Sequence, residues 1–247
     1  MGADTAAVLV AAGLGRRMGE RNKTLMRLAG KPVLEHSLAT FRACPSIGQI
    51  IVVMKEVDLE RLAAEWHTTP QELGADVVVV GGAERWLSSR NGCEAANPEM
   101  DYLLVHDAAR PLVTASDVEA VIAGARRSGA AIAAQPVTDT LKMSCAEDRV
   151  QSTMSRDSMW RALTPQVARF DWMLDAFAQW NVDANGLPTD ESMMLEHCGH
   201  APELIAGHSP NFKITAPRDL LLAEALFRDH GPGSSVSSPS SGSESSS

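Results

Sequence analysis

Seven consecutive apolar residues, AAVLVAA at residues 6–12, decide the fold, because the run ends abruptly at Gly13. A strand without polar residues on either face is typical of a parallel sheet covered by helices on both sides. A loop rich in glycine and arginine follows, and Lys31-Pro32 then opens a helical pattern through about Phe41, with Pro32 at the first helical position. The start of the chain therefore predicts a strand, a loop and a helix.

The same alternation recurs along the chain. Strand patterns lie at 49–54, 76–80, 102–106 and 203–206, and helical patterns lie at 58–66, 88–96, 116–127, 169–180, 190–198 and from about Pro217. Strands that alternate with helices predict an α/β fold with a mostly parallel sheet and helices on both faces. Such sheets bind ligands beyond the carboxyl ends of their strands, so the loops that follow the strands are the candidate site.

Two segments depart from this alternation. Residues 138–156 are polar and extended, and we expect them to form a β-arm that projects from the sheet. Residues 231–247, GPGSSVSSPSSGSESSS, have too few apolar side chains to offset the entropy of ordering. The sequence therefore predicts one domain at 1–230, which includes the arm, and a disordered serine-rich tail at 231–247.

The composition argues against several classes of function. Apolar residues make up 45% and charged residues 21%, which are the proportions of a folded globular domain. The net charge of -9 repels polyanions, so nucleic acid is not an expected partner. No apolar run approaches the roughly 20 residues of a membrane span, and the N-terminus lacks the pattern of a signal peptide. The four cysteines have no ligand spacing, so we expect reduced thiols in a cytoplasmic protein without a membrane partner.

The first candidate site is the loop AAGLGRRMG at residues 11–19. Gly13 and Gly15 allow backbone N–H groups to approach a ligand, and the two arginines add positive charge, so phosphate is the expected ligand. A dinucleotide-binding fingerprint would need glycine where Met18 stands, and the chain has no GK[ST] segment of a P-loop. The alternative is a tight turn between strand and helix with solvated arginines.

A second candidate is HDAARP at residues 106–111, at the end of the strand pattern 102–106. Asp107 could bind a ribose hydroxyl or a metal–phosphate complex, and Arg110 could bind an anion. The alternative is an Asp–Arg pair that only closes a turn. The position at the carboxyl end of a strand favours function.

These segments belong to a larger set. AAGLGRRMG, Lys23, GKPVLEHSL, GGAERWLSS, HDAARP, PVTDTLK, ALTPQ, TDES and NFKIT occur in the order and spacing seen in 2-C-methyl-D-erythritol 4-phosphate cytidylyltransferases, and the chain resembles that family over about residues 6–227. The resemblance implies a three-layer, Rossmann-like nucleotidyltransferase fold. It also implies that CTP and 2-C-methyl-D-erythritol 4-phosphate, a small alcohol phosphate, are converted into 4-diphosphocytidyl-2-C-methyl-D-erythritol and pyrophosphate. It further implies Mg²⁺ carried by the CTP phosphates and a homodimer whose β-arm completes the partner's site.

The resemblance also implies roles for particular residues. The implied catalytic residues are Arg17, Lys23, Arg156 and Lys213, of which Arg17 and Lys23 stabilise charge on the α-phosphate. The implied CTP-binding residues are Ala11, Ala12, Gly13, Gly15, Gly81, Gly82, Ser88 and Asp107. Those implied for the alcohol phosphate are Asp107, Arg110, Thr140, Arg156, Thr164 and Lys213, with Arg156 acting in the neighbouring subunit's site. Nucleotidyl transfer needs positioning and charge neutralisation rather than a covalent protein intermediate, which fits these residue types.

Some of these positions have other interpretations. Ser88 could be a helix N-cap, and Lys213 could be an outward lysine on an edge strand. Residues 22–24, Asn-Lys-Thr, replace a frequent Pro-Lys-Gln without loss of the charged group, whereas Leu87 stands where aspartate is frequent and alters the expected base pocket. The segment HCGH at 197–200 lacks a second pair of ligands, so no protein metal site is predicted.

Two other functions remain compatible with the resemblance. A ribitol-5-phosphate cytidylyltransferase would share the phosphate loop and the Asp–Arg segment, but Ala109 and the PVTDTLK segment favour methylerythritol phosphate. A non-catalytic nucleotide-binding protein could have the same fold. Retention of Arg17, Lys23, Arg156 and Lys213 argues against that second alternative.

Overall fold

The computed structural model describes residues 2–13, 22–145, 148–207 and 210–230. The strands are β1 (Thr5–Val10), β2 (Arg27–Leu28), β3 (Lys31–Pro32), β4 (Ile47–Met54), β5 (Val77–Val80), β6 (Tyr102–Asp107), β7 (Ala130–Pro136), β8 (Leu141–Ser144), β9 (Val150–Met154), β10 (Trp160–Arg169) and β11 (Glu203–Ala206). The helices are α1 (Val33–Arg42), α2 (Glu56–Trp66), α3 (Arg85–Glu94), α4 (Ala115–Ser128), α5 (Phe170–Gln179), α6 (Val182–Asn185), α7 (Glu191–His197) and α8 (Pro217–His230). A 3₁₀ turn, Lys23–Leu25, precedes β2.

Seven strands of the described chain form the central sheet, in the order β11-β7-β10-β6-β1-β4-β5. β1 pairs in parallel with β4 and β6, and β5 pairs in parallel with β4. β10 runs antiparallel between β6 and β7, and β11 is parallel to β7. The sheet is therefore mostly parallel, which confirms the predicted α/β fold class.

Helices cover both faces of this sheet. Every residue of β1 is buried, and its side chains alternate between two apolar layers. Leu9 lies in the layer that contains Phe41 of α1, whereas Val8 lies in the layer that contains Phe177 of α5. This double burial is the physical reason for the uninterrupted apolar run at residues 6–12.

The sequence pattern does not indicate β7 or β10. β7 has the sequence AAIAAQP, and alanine is depleted in strands. β10 contains Pro165, which cannot donate a ladder hydrogen bond, and its pairing with β7 is irregular between Ala162 and Gln166. The expected position of Pro32 is wrong as well, because Pro32 pairs with Arg27 and forms the N-cap of α1 rather than its first helical residue.

The β-arm predicted at 138–156 corresponds to a hairpin. β8 and β9 pair antiparallel as a separate two-stranded sheet, and most of their side chains are exposed. The role of this hairpin in dimerisation stays a prediction. The predicted tail at 231–247 lies outside the described residues. Nowhere in the described ranges does a helix combine the length and apolar character needed to cross a membrane.

Candidate active site

A cavity of about 240 Å³ lies at the carboxyl ends of β1 and β6. Its lining comes from residues 10–13 after β1, residues 22–24, residues 82–85 at the start of α3, and the loop after β6, together with Ser88 and Lys213. This is the edge at which mostly parallel sheets bind ligands.

The lining has the opposite charge to the whole protein. Lys23, Arg85 and Lys213 provide three positive charges and Glu84 and Asp107 two negative ones, so the described lining carries an excess of one positive charge in a chain of net charge -9. A local excess of positive charge suits a phosphorylated ligand.

Asp107 lies at the centre of an ion cluster. Its Oδ1 accepts a hydrogen bond from Arg85 Nε at 2.9 Å, and its Oδ2 accepts from Lys213 Nζ at 3.1 Å and from Arg110 Nε at 3.4 Å. The Asp107 side chain is only 8% exposed, so these cations compensate a charge that would otherwise be costly to bury.

Arg85 connects Asp107 to a second buried carboxylate. Its Nη1 and Nη2 donate to the two oxygens of Glu191 at 2.8 and 3.0 Å, while Nε donates to Asp107. Glu191 is the first residue of α7 and is fully buried. Only the planar fork of arginine can make these contacts together, so the guanidinium fixes both carboxylates in one geometry.

These contacts set the charge states in the cluster. Burial alone would raise the pKa of Asp107, but Arg85, Lys213 and Arg110 hold that pKa well below its usual range. Burial also opposes the charge on Arg85, yet Glu191 and Asp107 hold the pKa of Arg85 above its ordinary value. Burial lowers the pKa of Arg110, because the longer contact with Asp107 does not fully offset the loss of solvent. Asp107 is therefore an ionised, firmly oriented acceptor at neutral pH.

Hydrogen bonds through Thr164 and His106 hold the backbone of Asp107 in place. The Asp107 backbone N–H donates to Thr164 Oγ1 at 3.1 Å, and Thr164 Oγ1 lies 3.1 Å from His106 Nδ1. His106 Nε2 lies 3.3 Å from the Arg110 carbonyl, which can only accept, so the neutral ring carries its proton on Nε2 and accepts from Thr164 at Nδ1. Burial lowers the pKa of His106 to about 3.

The segment 211–215, NFKIT, is bound to the loop after β6. The Ile214 N–H donates to the Ala109 carbonyl at 2.8 Å, and Arg110 Nη1 donates to the Asn211 carbonyl at 3.0 Å. These bonds direct Lys213 into the cavity. The segment lies in no strand of the described chain, so the interpretation of Lys213 as an edge-strand lysine is wrong.

Two glycines in the loop after β5 allow close packing, Gly81 against the segment that follows β1 and Gly82 against α3. A Cβ on Gly81 would lie 2.4 Å from the Cβ of Ala12, and a Cβ on Gly82 would lie 2.5 Å from the Cβ of Leu87. Leu87 thus packs behind Gly82 and does not line the cavity. The N-cap of α3 is Glu84, so the N-cap interpretation of Ser88 is also wrong; Ser88 donates from inside the helix to the Glu84 carbonyl at 3.1 Å.

The family model of 2-C-methyl-D-erythritol 4-phosphate cytidylyltransferase matches residues 5–229. The chain belongs to the 2-C-methyl-D-erythritol 4-phosphate cytidylyltransferase family. A relative of that name from Syntrophotalea carbinolica is 39% identical over 228 residues, which cover 91% of this chain and 96% of the relative. One from Alkaliphilus oremlandii is 36% identical over 230 residues, which cover 93% and 97%. The predictions of this family and of a nucleotidyltransferase enzyme are therefore confirmed.

Solved structures of the cytidylyltransferase family have the same fold. The 2-C-methyl-D-erythritol 4-phosphate cytidylyltransferase of Thermus thermophilus is similar with a TM-score of 0.72 and 33% identity, over 90% of this chain and 98% of that one. The 4-diphosphocytidyl-2C-methyl-D-erythritol synthase of Anaerococcus prevotii is similar with a TM-score of 0.77 and 25% identity, over 91% and 98%.

The structure brings most of the family-implied residues together. The implied residues that line the cavity are Ala11, Ala12, Gly13, Lys23, Gly82, Ser88, Asp107 and Lys213. Gly81, Arg110 and Thr164 adjoin this lining through the contacts described above. Thr140 and Arg156 are exposed near the base of the arm and do not line this chain's cavity; Arg156 Nη1 donates to the Thr138 carbonyl. Gly15 and Arg17 lie outside the described residues.

Sequence reasoning missed the Arg85–Glu191 pair, although both residues lie in segments that carry the family resemblance, GGAERWLSS and TDES. The two side chains are 106 positions apart, so no local spacing connects them. The available signal was that each segment contained charged residues to which no site role was assigned.

Proposed function

We propose that this chain transfers the cytidylyl group of CTP to 2-C-methyl-D-erythritol 4-phosphate. An oxygen of the alcohol phosphate attacks the α-phosphorus of CTP, and the bond from that phosphorus to the oxygen that bridges to the β-phosphate breaks. The products are 4-diphosphocytidyl-2-C-methyl-D-erythritol and pyrophosphate. The observation that carries the proposal is the positively charged cavity of a chain in this family, with Lys23 and Lys213 in its lining.

The charges of the reacting groups explain the need for these cations. Two phosphorylated substrates repel each other, and negative charge grows on the α-phosphate as the new bond forms, so fixed cations lower the barrier. We assign that role to Lys23 and Arg17. Lys213, held by Asp107 at 3.1 Å, positions the alcohol phosphate together with Arg110.

Asp107 has a different role, because a carboxylate repels phosphate. Its oxygens hold Lys213, Arg110 and Arg85 in place, and it accepts a hydrogen bond from a ribose hydroxyl of CTP. Ser88 and the loop at Gly81 and Gly82 enclose the base, since the absence of a side chain on Gly81 lets this loop pack directly against Ala12 and Ser88.

The proposal includes Mg²⁺ carried by the CTP phosphates. Among the described residues, no three His, Cys, Asp or Glu side chains are grouped so as to hold a metal ion, and the cavity offers only the carboxylates of Glu84 and Asp107. This donor set fits an ion that arrives on the triphosphate, because Mg²⁺ keeps several waters and binds readily to phosphate oxygens. When bound, the ion neutralises triphosphate charge.

We also propose a homodimer in which Arg156 and Thr140 on the arm complete the partner's site. Their exposure, and their absence from the lining of this chain's own cavity, support that arrangement. A cytoplasmic location is proposed from the cysteines, which have no paired spacing in the sequence.

The test is pyrophosphate release by the purified protein with CTP, Mg²⁺ and either 2-C-methyl-D-erythritol 4-phosphate or ribitol 5-phosphate. We expect release with the first substrate and much less with the second. Lys23→Ala should lower turnover by about a hundredfold or more, because a fixed cation at the reacting phosphate is lost. Lys31→Ala is the matched control, since Lys31 is 58% exposed and paired with Glu35 outside the cavity. Equal turnover of the Lys23 and Lys31 variants would overturn the assignment of Lys23.

A further inference from the structure

The turn that carries Lys23 is held on α2 by a buried pair of polar side chains, Asn22 and Asp58. We propose that Asp58 is a positioning residue for Lys23, because through Asn22 it fixes the turn Lys23–Leu25 against the end of β1. This inference rests on the proposed function, in which Lys23 stabilises charge on the α-phosphate.

All hydrogen-bonding positions of the Asn22 amide are used. Its Nδ2 donates to the Ala11 carbonyl at 2.7 Å and to Asp58 Oδ2 at 2.7 Å. Its Oδ1 accepts from the Thr24 N–H at 3.0 Å and from Thr24 Oγ1 at 2.8 Å. An amide has two donor hydrogens and two acceptor lone pairs, so this network leaves it no alternative orientation. Asn22 therefore joins the last residues of the β1 segment to both α2 and the Lys23 turn.

Asp58 is suited to anchor this network. It is 4% exposed and lies in the first turn of α2, where the positive end of the helix dipole stabilises a carboxylate. Arg61 Nη1 lies 3.6 Å from Asp58 Oδ1, which leaves Oδ2 to Asn22. A hydrogen bond to an ionised acceptor is stronger than one between neutral groups. The hydrogen bond connects residues 36 positions apart, so it fixes the turn to a distant part of the chain.

The same helix holds the other end of the turn. Trp66, the last residue of α2, donates from Nε1 to the Leu25 carbonyl at 3.0 Å. The turn is thus attached to α2 on both sides of Lys23. Neither Asp58 nor Trp66 lines the cavity, so these residues affect catalysis through the groups that they hold, which are the turn and, through Asn22, the Ala11 carbonyl.

A double-mutant cycle between Asp58 and Lys23 tests the inference. The kcat and KM for both substrates are measured for wild type, Asp58→Ala, Lys23→Ala and the double variant, at a temperature at which circular dichroism shows all four to be folded. We expect Asp58→Ala to lower kcat by about tenfold or more with little change in the KM for the alcohol phosphate, because a displacement of about 1 Å can cost on the order of a hundredfold in rate. In the Lys23→Ala background the same substitution should change kcat by less than about twofold, since coupled residues are non-additive.

Two further variants separate positioning from general stability. Glu60→Ala removes an exposed carboxylate from the same helix and should leave kcat unchanged. Trp66→Phe keeps an aromatic ring beneath Arg27 and removes the hydrogen bond to Leu25 together with part of the apolar surface of the indole. It should lower kcat about two- to fivefold in wild type and leave kcat unchanged when Lys23 is absent. This variant carries the test if Asp58→Ala does not fold.

The possible failures are distinguishable. An equal loss of kcat with and without Lys23, or no loss in Asp58→Ala, would overturn the positioning role alone. No pyrophosphate release by wild type would overturn the proposed function and the inference with it. Full activity of Lys23→Ala would overturn the assignment of Lys23, and so the inference, but not the function.

Discussion

His106 makes the stability of the folded chain depend on pH between about 7 and about 5.5, the interval in which an ordinary histidine gains its proton. The ring is fully buried, lies 4.9 Å from the ring of Phe41, and is held neutral between Thr164 and the Arg110 carbonyl. Burial lowers its pKa from 6.5 to about 3, an effect that Asp107 opposes and that Arg110 and Lys213 reinforce. Protons therefore bind to His106 in the unfolded chain before they bind in the folded one.

The direction and size of this change in the free energy of unfolding follow from the difference in proton binding between the folded and unfolded chains. Because the unfolded chain binds the additional proton, stability is fully present above the unfolded pKa of 6.5 and is lost as pH falls toward the folded pKa of about 3. Between about pH 7 and about pH 5.5 the expected loss is about 1.2 kcal/mol, a value that is insensitive to the folded pKa as long as that pKa stays well below 5.5. Asp107 loses its contribution only below its ordinary value of 3.8, so it does not titrate in this interval.

The measurement is urea unfolding at the two pH values, followed by tryptophan fluorescence, for wild type and His106→Gln. Glutamine keeps a donor toward the Arg110 carbonyl and does not titrate. His36 is half-buried and its pKa is also lowered by burial, so the difference between the two proteins, rather than the slope of wild type, isolates His106. Wild type should lose about 1.2 kcal/mol more than the variant. An equal loss in both proteins would show that His106 is not held neutral in the folded state.

Three further predictions concern the ion cluster, the dimer and the metal. Arg85→Ala should lower the free energy of unfolding by about 3 kcal/mol, because Glu191 would stay buried without its cation. Arg169→Ala, a surface control, should change it little, and equal urea midpoints for the two variants would contradict the prediction. Mixed refolding of Arg17→Ala and Arg156→Ala chains should restore up to about a quarter of wild-type activity, since half of the randomly paired dimers contain one intact site. Activity no higher than that of the separate variants, with dimers present by size-exclusion chromatography, would refute a shared site. Excess chelator should abolish pyrophosphate release and added Mg²⁺ restore it, because triphosphate charge repels the incoming phosphate; release that persists in chelator would exclude that requirement.

Apolar strands and their sequence order are the part of the fold that could be predicted. Residues 6–12 and the apolar start of the strand at Tyr102–Asp107 are recognisable because burial on both faces favours an apolar residue at each position. β10 could not be recognised, because its antiparallel place between β6 and β7 depends on pairing partners far along the chain. In addition, Pro165 within it is a residue that argues against a central strand.

The candidate site likewise contains some residues that could be predicted from the sequence and others that could not. Asp107 and Lys213 lie in short segments with a distinctive composition, and the structure places them 3.1 Å apart. Arg85 and Asp58 could not be assigned, because their importance comes from partners that are distant in sequence, Glu191 and Asn22. Asn22 was visible as a departure from the family, but its amide network exists only after folding brings Asp58 of α2 near the Ala11 carbonyl.

The docking of segment 211–215 onto the loop after β6 has a consequence for the newly made protein. Chain synthesis proceeds from the N-terminus, so β1, α2 and β6 emerge long before Lys213. Until Asn211 and Ile214 bind that loop, Asp107 lacks one of its cations and the cavity lacks one wall. A nascent chain can therefore build nearly the whole sheet and still have no complete site, so the ability to bind substrate arises late, after almost the entire domain has left the ribosome.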